Sequence, residues 1–241
     1  FPSLGVKHAI FTRLGGLSQP PFDGLNVGHL VGDNVEAVEA NHRLIYETLG
    51  FAAEDVVTAR QVHGHSVAVV GLPDRGKVIP ATDGLLTRAP GLALMLRFAD
   101  CLPILLYDPG RKAIALGHAG WRGTAGRLAY RLTEAMKEEF GCRSQQIVAG
   151  LGPAIGPCCY QVSPEVAEAI SQAMPECKGV LVERGEDVYL DLWEANRWQL
   201  QEAGVERIEM SNICTACHTR EFFSHRAQKG RTGRFAALMV L

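Results

Sequence analysis

The middle of the chain carries three apolar runs in close succession. Leu92 to Leu96 leads to Asp100-Cys101. Leu102 to Tyr107 ends at the turn signal Asp108-Pro109-Gly110. Ala113 to Leu116 delivers Gly117-His118 and the loop Ala119-Gly120-Trp121-Arg122-Gly123. Short apolar runs bounded by turn residues read as strands, so Cys101 and His118 are both expected at strand ends. If those strands pair, thiol and imidazole lie side by side. The same alternation places a first strand at His8 to Arg13. A loop rich in Gly, Pro, Asn and Ser follows from Leu14 to Asn34, and loops of that length in compact domains are usually functional or disordered. Asp33 with Glu36 makes a capping-box-like start. Val38, His42, Ile45 and Leu49 then keep one face of a helix that stops at Gly50.

Val56 to Val62 and Ser66 to Val70 read as strands flanking Gln61-Val62-His63-Gly64-His65. Residues 71–81 form a loop, and Asp83-Gly84 marks a turn before Leu85-Leu86-Thr87. Thr124 to Phe140 is predicted as one helix ending at Gly141. Gln146 to Leu151 is predicted as a strand feeding the rigid loop Gly152 to Tyr160. Ser163-Pro164 and Asp191 with Glu194 start two further helices, the second carrying Leu192, Trp193 and Leu200. Phe235 to Leu241 closes the chain as a strand. Strands that follow one another without a helix favour a mixed-sheet α+β fold over a regular doubly wound one. With no repeat and no linker, one domain over residues 1–241 is expected.

Composition narrows the function classes. The chain has 241 residues, 47% hydrophobic and 21% charged, enough to bury a sizeable core. A net charge of −2 gives no basic field for nucleic acid or an anionic membrane. Arginines beside or near glycines (Arg13, Arg122, Arg231, Arg234) still allow a local basic pocket. Seven scattered cysteines, an odd number, argue for reduced thiols and a cytoplasmic setting. The start lacks the charged and apolar regions of a signal peptide, and a first residue other than Met is consistent with trimming. Arg97 and Asp100 interrupt the most apolar window, which argues against a membrane span.

His63, Cys101 and His118 stand out because each ends a predicted strand beside glycine or in a turn. A mixed thiolate and imidazole set suits zinc better than magnesium or calcium. Spacing alone leaves ordinary packed residues, a metal site, and a cysteine nucleophile with its base all open. The glycine turn around Arg122 before a helix suggests an anion site, or glycines that only permit close packing. No dinucleotide or nucleoside-triphosphate motif is present. Cys214-Thr215-Ala216-Cys217-His218 matches the haem c attachment pattern, which the missing export signal sets aside. Read as a structural zinc pair, it lacks an obvious second half. Cys142, Cys158, Cys159 and Cys177 read as buried small hydrophobes or surface thiols.

Gln61-Val62-His63-Gly64, Asp83-Gly84-Leu85-Leu86-Thr87, Ala99-Asp100-Cys101-Leu102-Pro103, His118-Ala119-Gly120-Trp121-Arg122-Gly123 and Gly152-Pro153-Ala154-Ile155-Gly156 together resemble the successive signatures of the YfiH/YlmD family. That family was formerly described as multicopper polyphenol oxidoreductase or laccase-domain proteins. The resemblance runs from Thr12-Arg13 through Asn26 and Asn41 to Thr232-Gly233-Arg234. It departs at Thr82, Gln161, His225 and Ala227, where Ala, Glu, Tyr and Arg are usual. It implies a four-layer αββα sandwich and a zinc site on His63, Cys101 and His118, which would also be the catalytic residues. It further implies phosphorolysis of adenosine, inosine, guanosine and methylthioadenosine, with deamination of adenosine.

Inorganic phosphate would then be held near Arg122. Asp83 and Asp100 are candidates for helping the leaving purine, Asp100 also for orienting a histidine, and Arg13 and Asn26 are further pocket candidates. A homodimer is left open. Two other readings stand beside this one. A metal-free Cys101/His118 hydrolase or amidase would act on peptidoglycan precursors. A copper polyphenol oxidase ranks lower, because only His63-Gly64-His65 offers a His-x-His pair.

Overall fold

A computed structural model describes residues 5–241; the reading of the chain's start takes in residues 1–4, which lie outside them. In chain order the elements are β1 (Lys7–Ile10), α1 (Val35–Leu49), β2 (Val56–Ala59), β3 (Val67–Val69), β4 (Val78–Ile79), β5 (Gly84–Thr87), β6 (Ala93–Phe98), β7 (Leu102–Asp108) and β8 (Ala113–Ala119). Then come α2 (Trp121–Ala125), α3 (Leu128–Phe140), β9 (Val148–Leu151), β10 (Gln161–Val162), α4 (Pro164–Ala173), β11 (Leu181–Arg184), β12 (Asp187–Leu190), α5 (Leu192–Glu202), β13 (Arg207–Met210) and β14 (Phe235–Val240).

Two large mixed sheets face each other. One has the order β1-β14-β6-β2-β4, the other β13-β9-β7-β8-β5-β3, and β10-β12-β11 forms a small third sheet. The period of two in strand side chains sorts the core into layers. Leu94, Leu96 and Phe98 of β6 and Phe235, Ala237 and Met239 of β14 meet Leu105, Tyr107, Ile114 and Leu116 of the second sheet. Their odd-and-even partners turn outward. Ala93, Met95, Ala236 and Leu238 pack under Ile45 of α1, while Leu106, Ala113 and Ala115 pack under Leu128, Leu132 and Met136 of α3. The result is helix, sheet, sheet, helix, the αββα order that the family resemblance implies.

Three adjustments to the sequence reading follow from local chemistry. The cap of α1 is Asn34, whose side chain accepts from the Ala37 N–H, while Asp33 binds the Asn34 N–H and the Asn26 amide. The single helix expected over Thr124 to Phe140 is two, because Arg127 sits in the left-handed region at φ 61° and breaks the run after Gly126. Gly84 begins a strand instead of forming a turn.

One topological feature positions everything that follows. β2 runs parallel to both β4 and β6, so their C-terminal ends lie at one end of the first sheet. From each of those ends the chain crosses to the second sheet, through residues 60–66, 80–83 and 99–101. His63, Asp83 and Cys101 lie on these three crossings. β8 is antiparallel to β7, with His118 in register with Pro103, and so ends at the same seam.

Candidate metal centre and active-site cavity

At the seam, ligand atoms of His63, Cys101 and His118 all lie within 4.8 Å of one another. The two imidazole rings meet edge to face, 5.0 Å between centroids. The pairing of β7 and β8 brings the thiol and the second imidazole together. His63 arrives by a different device. It adopts φ 59°, which costs about 1–2 kcal/mol for a residue with a Cβ. The carboxylate of Asp83 holds that turn: it accepts from the backbone N–H groups of Val62 (3.1 Å), His63 (3.0 Å) and Gly64 (2.8 Å). Asp83 also accepts from Nδ1 of His118 at 2.8 Å. That bond leaves Nε2 of His118 for the sulfur and any bound ion.

The electrostatics follow from burial and these partners. Burial by itself would push the Cys101 thiol up. The positive charge of His118, with hydrogen bonds from His118 and His63, outweighs it and brings the thiol down to about 6. Burial would lower His118, but the Cys101 thiolate and the Asp83 carboxylate raise it to about 9. Burial also acts against ionised Asp83, and its bonds to His118 and to the turn backbone prevail, so its pKa is lowered.

A cation suits this donor set. One thiolate and two imidazoles make a borderline-soft, three-ligand arrangement of the kind that leaves a fourth position open. The backbone is cut to fit it. A Cβ on Gly120 would stand 2.9 Å from Cys101 Sγ and 3.7 Å from the His63 ring, inside the cradle between them.

The trio lies in a cavity of about 880 Å³ that reaches from the seam to α1. That volume lies within the usual range for a small-molecule site. Arg60, Arg97, Arg122, Arg226 and Arg234 all line it. Among the described residues the ion pairs involve other arginines, and none of these five guanidinium groups is paired with a carboxylate. Arg97 and Arg234 are the most enclosed. Burial lowers the pKa of each, and Arg97 also feels the charge of Arg234. Arg97 is locked in place by Gln61, which exchanges two hydrogen bonds with its backbone, and by a bond from Nη2 to the Ala59 carbonyl at 2.6 Å. Tyr160 lines the same space, and burial first, then the Cys101 charge, raises its pKa and keeps it a phenol.

The remaining predicted site residues divide. Asp100, at φ 85°, lines the cavity, but both its oxygens are occupied, by the Thr215 hydroxyl (2.7 Å) and the Arg226 N–H (2.6 Å). Arg122 is exposed at the rim and stacks over Trp121, 4.3 Å from ring centroid. Arg13 and Asn26 do not line the cavity. Arg13 pairs with Asp23 and lies over Phe223, and Asn26 binds the N–H groups of Gly28 and Arg234. Both tie the long loop to the C-terminal segment. The glycines around Arg122 serve packing: Gly117 presses on Leu132 and Gly123 on the Gly64 carbonyl. His65 turns away against Gly126.

Arg97, Tyr160 and Arg60 were not singled out from the sequence. A lone arginine inside the apolar β6 was the one available signal. His225, a departure from the family pattern, also lines the cavity.

Comparison with known proteins agrees with this architecture. A family model described as multi-copper polyphenol oxidoreductase laccase matches residues 7–241. The purine nucleoside phosphorylase YlmD of Geobacillus stearothermophilus is 40% identical, over 99% of this chain and 91% of its own. The purine nucleoside phosphorylase YfiH of Escherichia coli is 34% identical, over 98% and 94%. Among solved structures, YlmD of Geobacillus stearothermophilus superposes with a TM-score of 0.95 at 39% identity, over 98% of this chain and 92% of that one. The Bacillus licheniformis hypothetical protein YfiH does so with a TM-score of 0.93 at 36% identity, over 98% and 92%. Motifs, layers and alignment along nearly the whole chain coincide, and the protein belongs to the YfiH/YlmD family.

Proposed function

We propose that this protein is a zinc-dependent purine nucleoside phosphorylase whose metal is held by His63, Cys101 and His118. The observation that carries the reading is one cavity joining a cation-binding trio to several arginines without carboxylate partners. Buried like charges are unfavourable unless an anion joins them. Arg97 and Arg234 therefore supply an anion site for inorganic phosphate. The relatives named purine nucleoside phosphorylases align along nearly the whole chain, and YlmD of Geobacillus stearothermophilus has the same fold.

In the reaction, a phosphate oxygen bonds to ribose C1′ as the bond from C1′ to the purine nitrogen breaks. The base takes up a proton and leaves with ribose 1-phosphate as co-product. Arg97 and Arg234 hold the phosphate and orient it by charge-assisted hydrogen bonds. Tyr160, whose hydroxyl makes no hydrogen bond among the described residues, donates to a ring nitrogen of the departing purine. Asp83 and Asp100 are not the acid: the carboxyl oxygens of each are already engaged as acceptors, Asp83 with the His63 turn and His118, Asp100 with the Thr215 hydroxyl and the Arg226 backbone N–H. They act by position. When bound, zinc supplies Lewis-acid polarisation and a fixed positive charge at the trio. The same site would also admit adenosine deamination.

One Cys and two His do not supply the separate mononuclear and trinuclear centres of a multicopper oxidase. The other cluster among the described residues contains no histidine. The low thiol pKa beside a raised imidazole favours one second reading, a metal-free cysteine hydrolase with Cys101 as nucleophile.

Incubation with adenosine, with and without phosphate, tests the proposal by product. Adenine and ribose 1-phosphate appearing only with phosphate support phosphorolysis. Inosine formed without phosphate reports deamination. Turnover of neither, with chelator-resistant amidase activity lost on thiol alkylation, replaces the proposal by the hydrolase.

A further inference from the structure

The sequence left Cys214-x-x-Cys217 as half a metal site, and the fold brings the other half to it. The thiols of Cys158, Cys159, Cys214 and Cys217 gather with all sulfurs within 4.8 Å of one another. Cys217 Sγ lies 3.6 Å from Cys158 Sγ and 3.4 Å from Cys159 Sγ. All four cysteines are free thiols. In a tetrahedral zinc–thiolate site the metal–sulfur distance is about 2.3 Å, which sets the sulfurs about 3.8 Å apart. The two distances from Cys217 are close to that spacing, and the other sulfurs lie within 4.8 Å of one another.

We propose that Cys158, Cys159, Cys214 and Cys217 bind a structural zinc ion, separate from the His63, Cys101 and His118 site. Four thiolates fill a tetrahedron and leave no open corner, the mark of a structural site. An all-sulfur set selects zinc or iron over hard cations. One of the four sulfurs, Cys214, already has a backbone donor aimed at it. The Gly156 N–H donates to Cys214 Sγ at 3.2 Å, and such outer-sphere bonds orient metal-binding sulfur. Cys158 and Cys217 are exposed, which leaves the ion a way in.

The cluster lies at the junction of the loops after β9 and β13. Ala154 and Cys214 form a parallel bridge there, and the Thr215 N–H donates to the Ala154 carbonyl at 3.0 Å. From this junction Thr215 reaches Asp100, and Tyr160 and Arg226 extend into the wall of the cavity. A zinc ion here would clamp that wall.

The test is zinc content and thiol accessibility in protein purified with reductant and without chelator. Cys101→Ala, which disables the trio, is expected to retain one zinc per chain, and the further double change Cys158→Ser/Cys217→Ser to lose it. Cobalt(II) put in place of zinc in Cys101→Ala protein should give the intense thiolate-to-cobalt absorption of a four-sulfur site. In the same folded protein, four thiols should resist alkylation until a chelator is added, a readout that needs no further variant. Freely reacting thiols with no bound metal would overturn the proposal. So would a disulfide from Cys217 to Cys158 or Cys159, and iron in place of zinc.

Discussion

Asp83 stands directly behind His118, its Oδ1 2.8 Å from the ring Nδ1, and the same carboxylate closes the backbone turn that presents His63. One buried charge thus sets two side chains of the trio, one on a crossing and one at the end of β8. Replacing it with Asn removes an acceptor oxygen and places an amide N–H against backbone N–H groups. Asp83→Asn is expected to weaken zinc binding about 10- to 100-fold, and to lower stability by about 3 kcal/mol through the broken buried pair. Competition with a chelating dye and urea unfolding check the two effects.

Gly120 offers a narrower probe of the same cradle. Gly120→Ala puts a methyl group 2.9 Å from Cys101 Sγ, at a position whose backbone is extended and needs no glycine for its torsion. Zinc affinity should fall at least tenfold while the urea midpoint of the metal-free protein moves little. Unchanged affinity would show that the ligands do not converge where Gly120 faces.

The phosphate assignment separates two arginines. Arg97 is enclosed and fixed by Gln61, whereas Arg122 is exposed at the rim. Hydrogen bonds to a charged group contribute about 1.5–3 kcal/mol. Arg97→Gln should therefore raise the phosphate KM about ten- to hundredfold, and Arg122→Ala much less. Steady-state rates against phosphate at saturating nucleoside distinguish them, and the opposite ranking would return the anion to the turn near Trp121.

His42 makes the fold acid-sensitive. It lies under the cavity, accepting from the Tyr46 hydroxyl and donating to the Val27 carbonyl. Burial, then the nearby His29, lower its pKa to about 4 from the ordinary 6.5. Between those values the unfolded chain binds the proton that the folded chain refuses, so stability rises with pH across the window and is lost as pH falls through it. The two ends differ by about 3 kcal/mol at most for this group. Urea unfolding of His42→Gln, compared with wild type from pH 7 to pH 4, should show a shallower loss.

Much of this arrangement is readable from residue order. The runs at Leu102 and Ala113 pair as β7 and β8, and Cys101 and His118 meet because a tight connection leaves antiparallel strands little choice. Helix α1 stops at Gly50, which takes the left-handed φ of 75° that a C-terminal cap requires. His63 is different. Its nearness to Cys101 depends on three parallel strands ending together, a long-range relation that no local spacing encodes; a place at a predicted strand end made it a candidate, and the family motifs grouped it with Cys101. The roles of Arg13 and Asn26 were hidden for the same reason, since their partners Thr219 and Arg234 come from the far end of the chain. The break at Arg127 is a backbone choice that helix periodicity does not reveal. The second half of the four-cysteine cluster lies on another loop.

The central claim is that purine nucleosides turn over at the trio of His63, Cys101 and His118. Its most direct measurement is the phosphate-dependent release of adenine from adenosine by wild-type and Cys101→Ala protein, with the zinc content of each determined alongside. The account predicts that the variant loses one zinc per chain and at least 1000-fold in rate, a change of about 4 kcal/mol in barrier. A variant that releases adenine at the wild-type rate would contradict it.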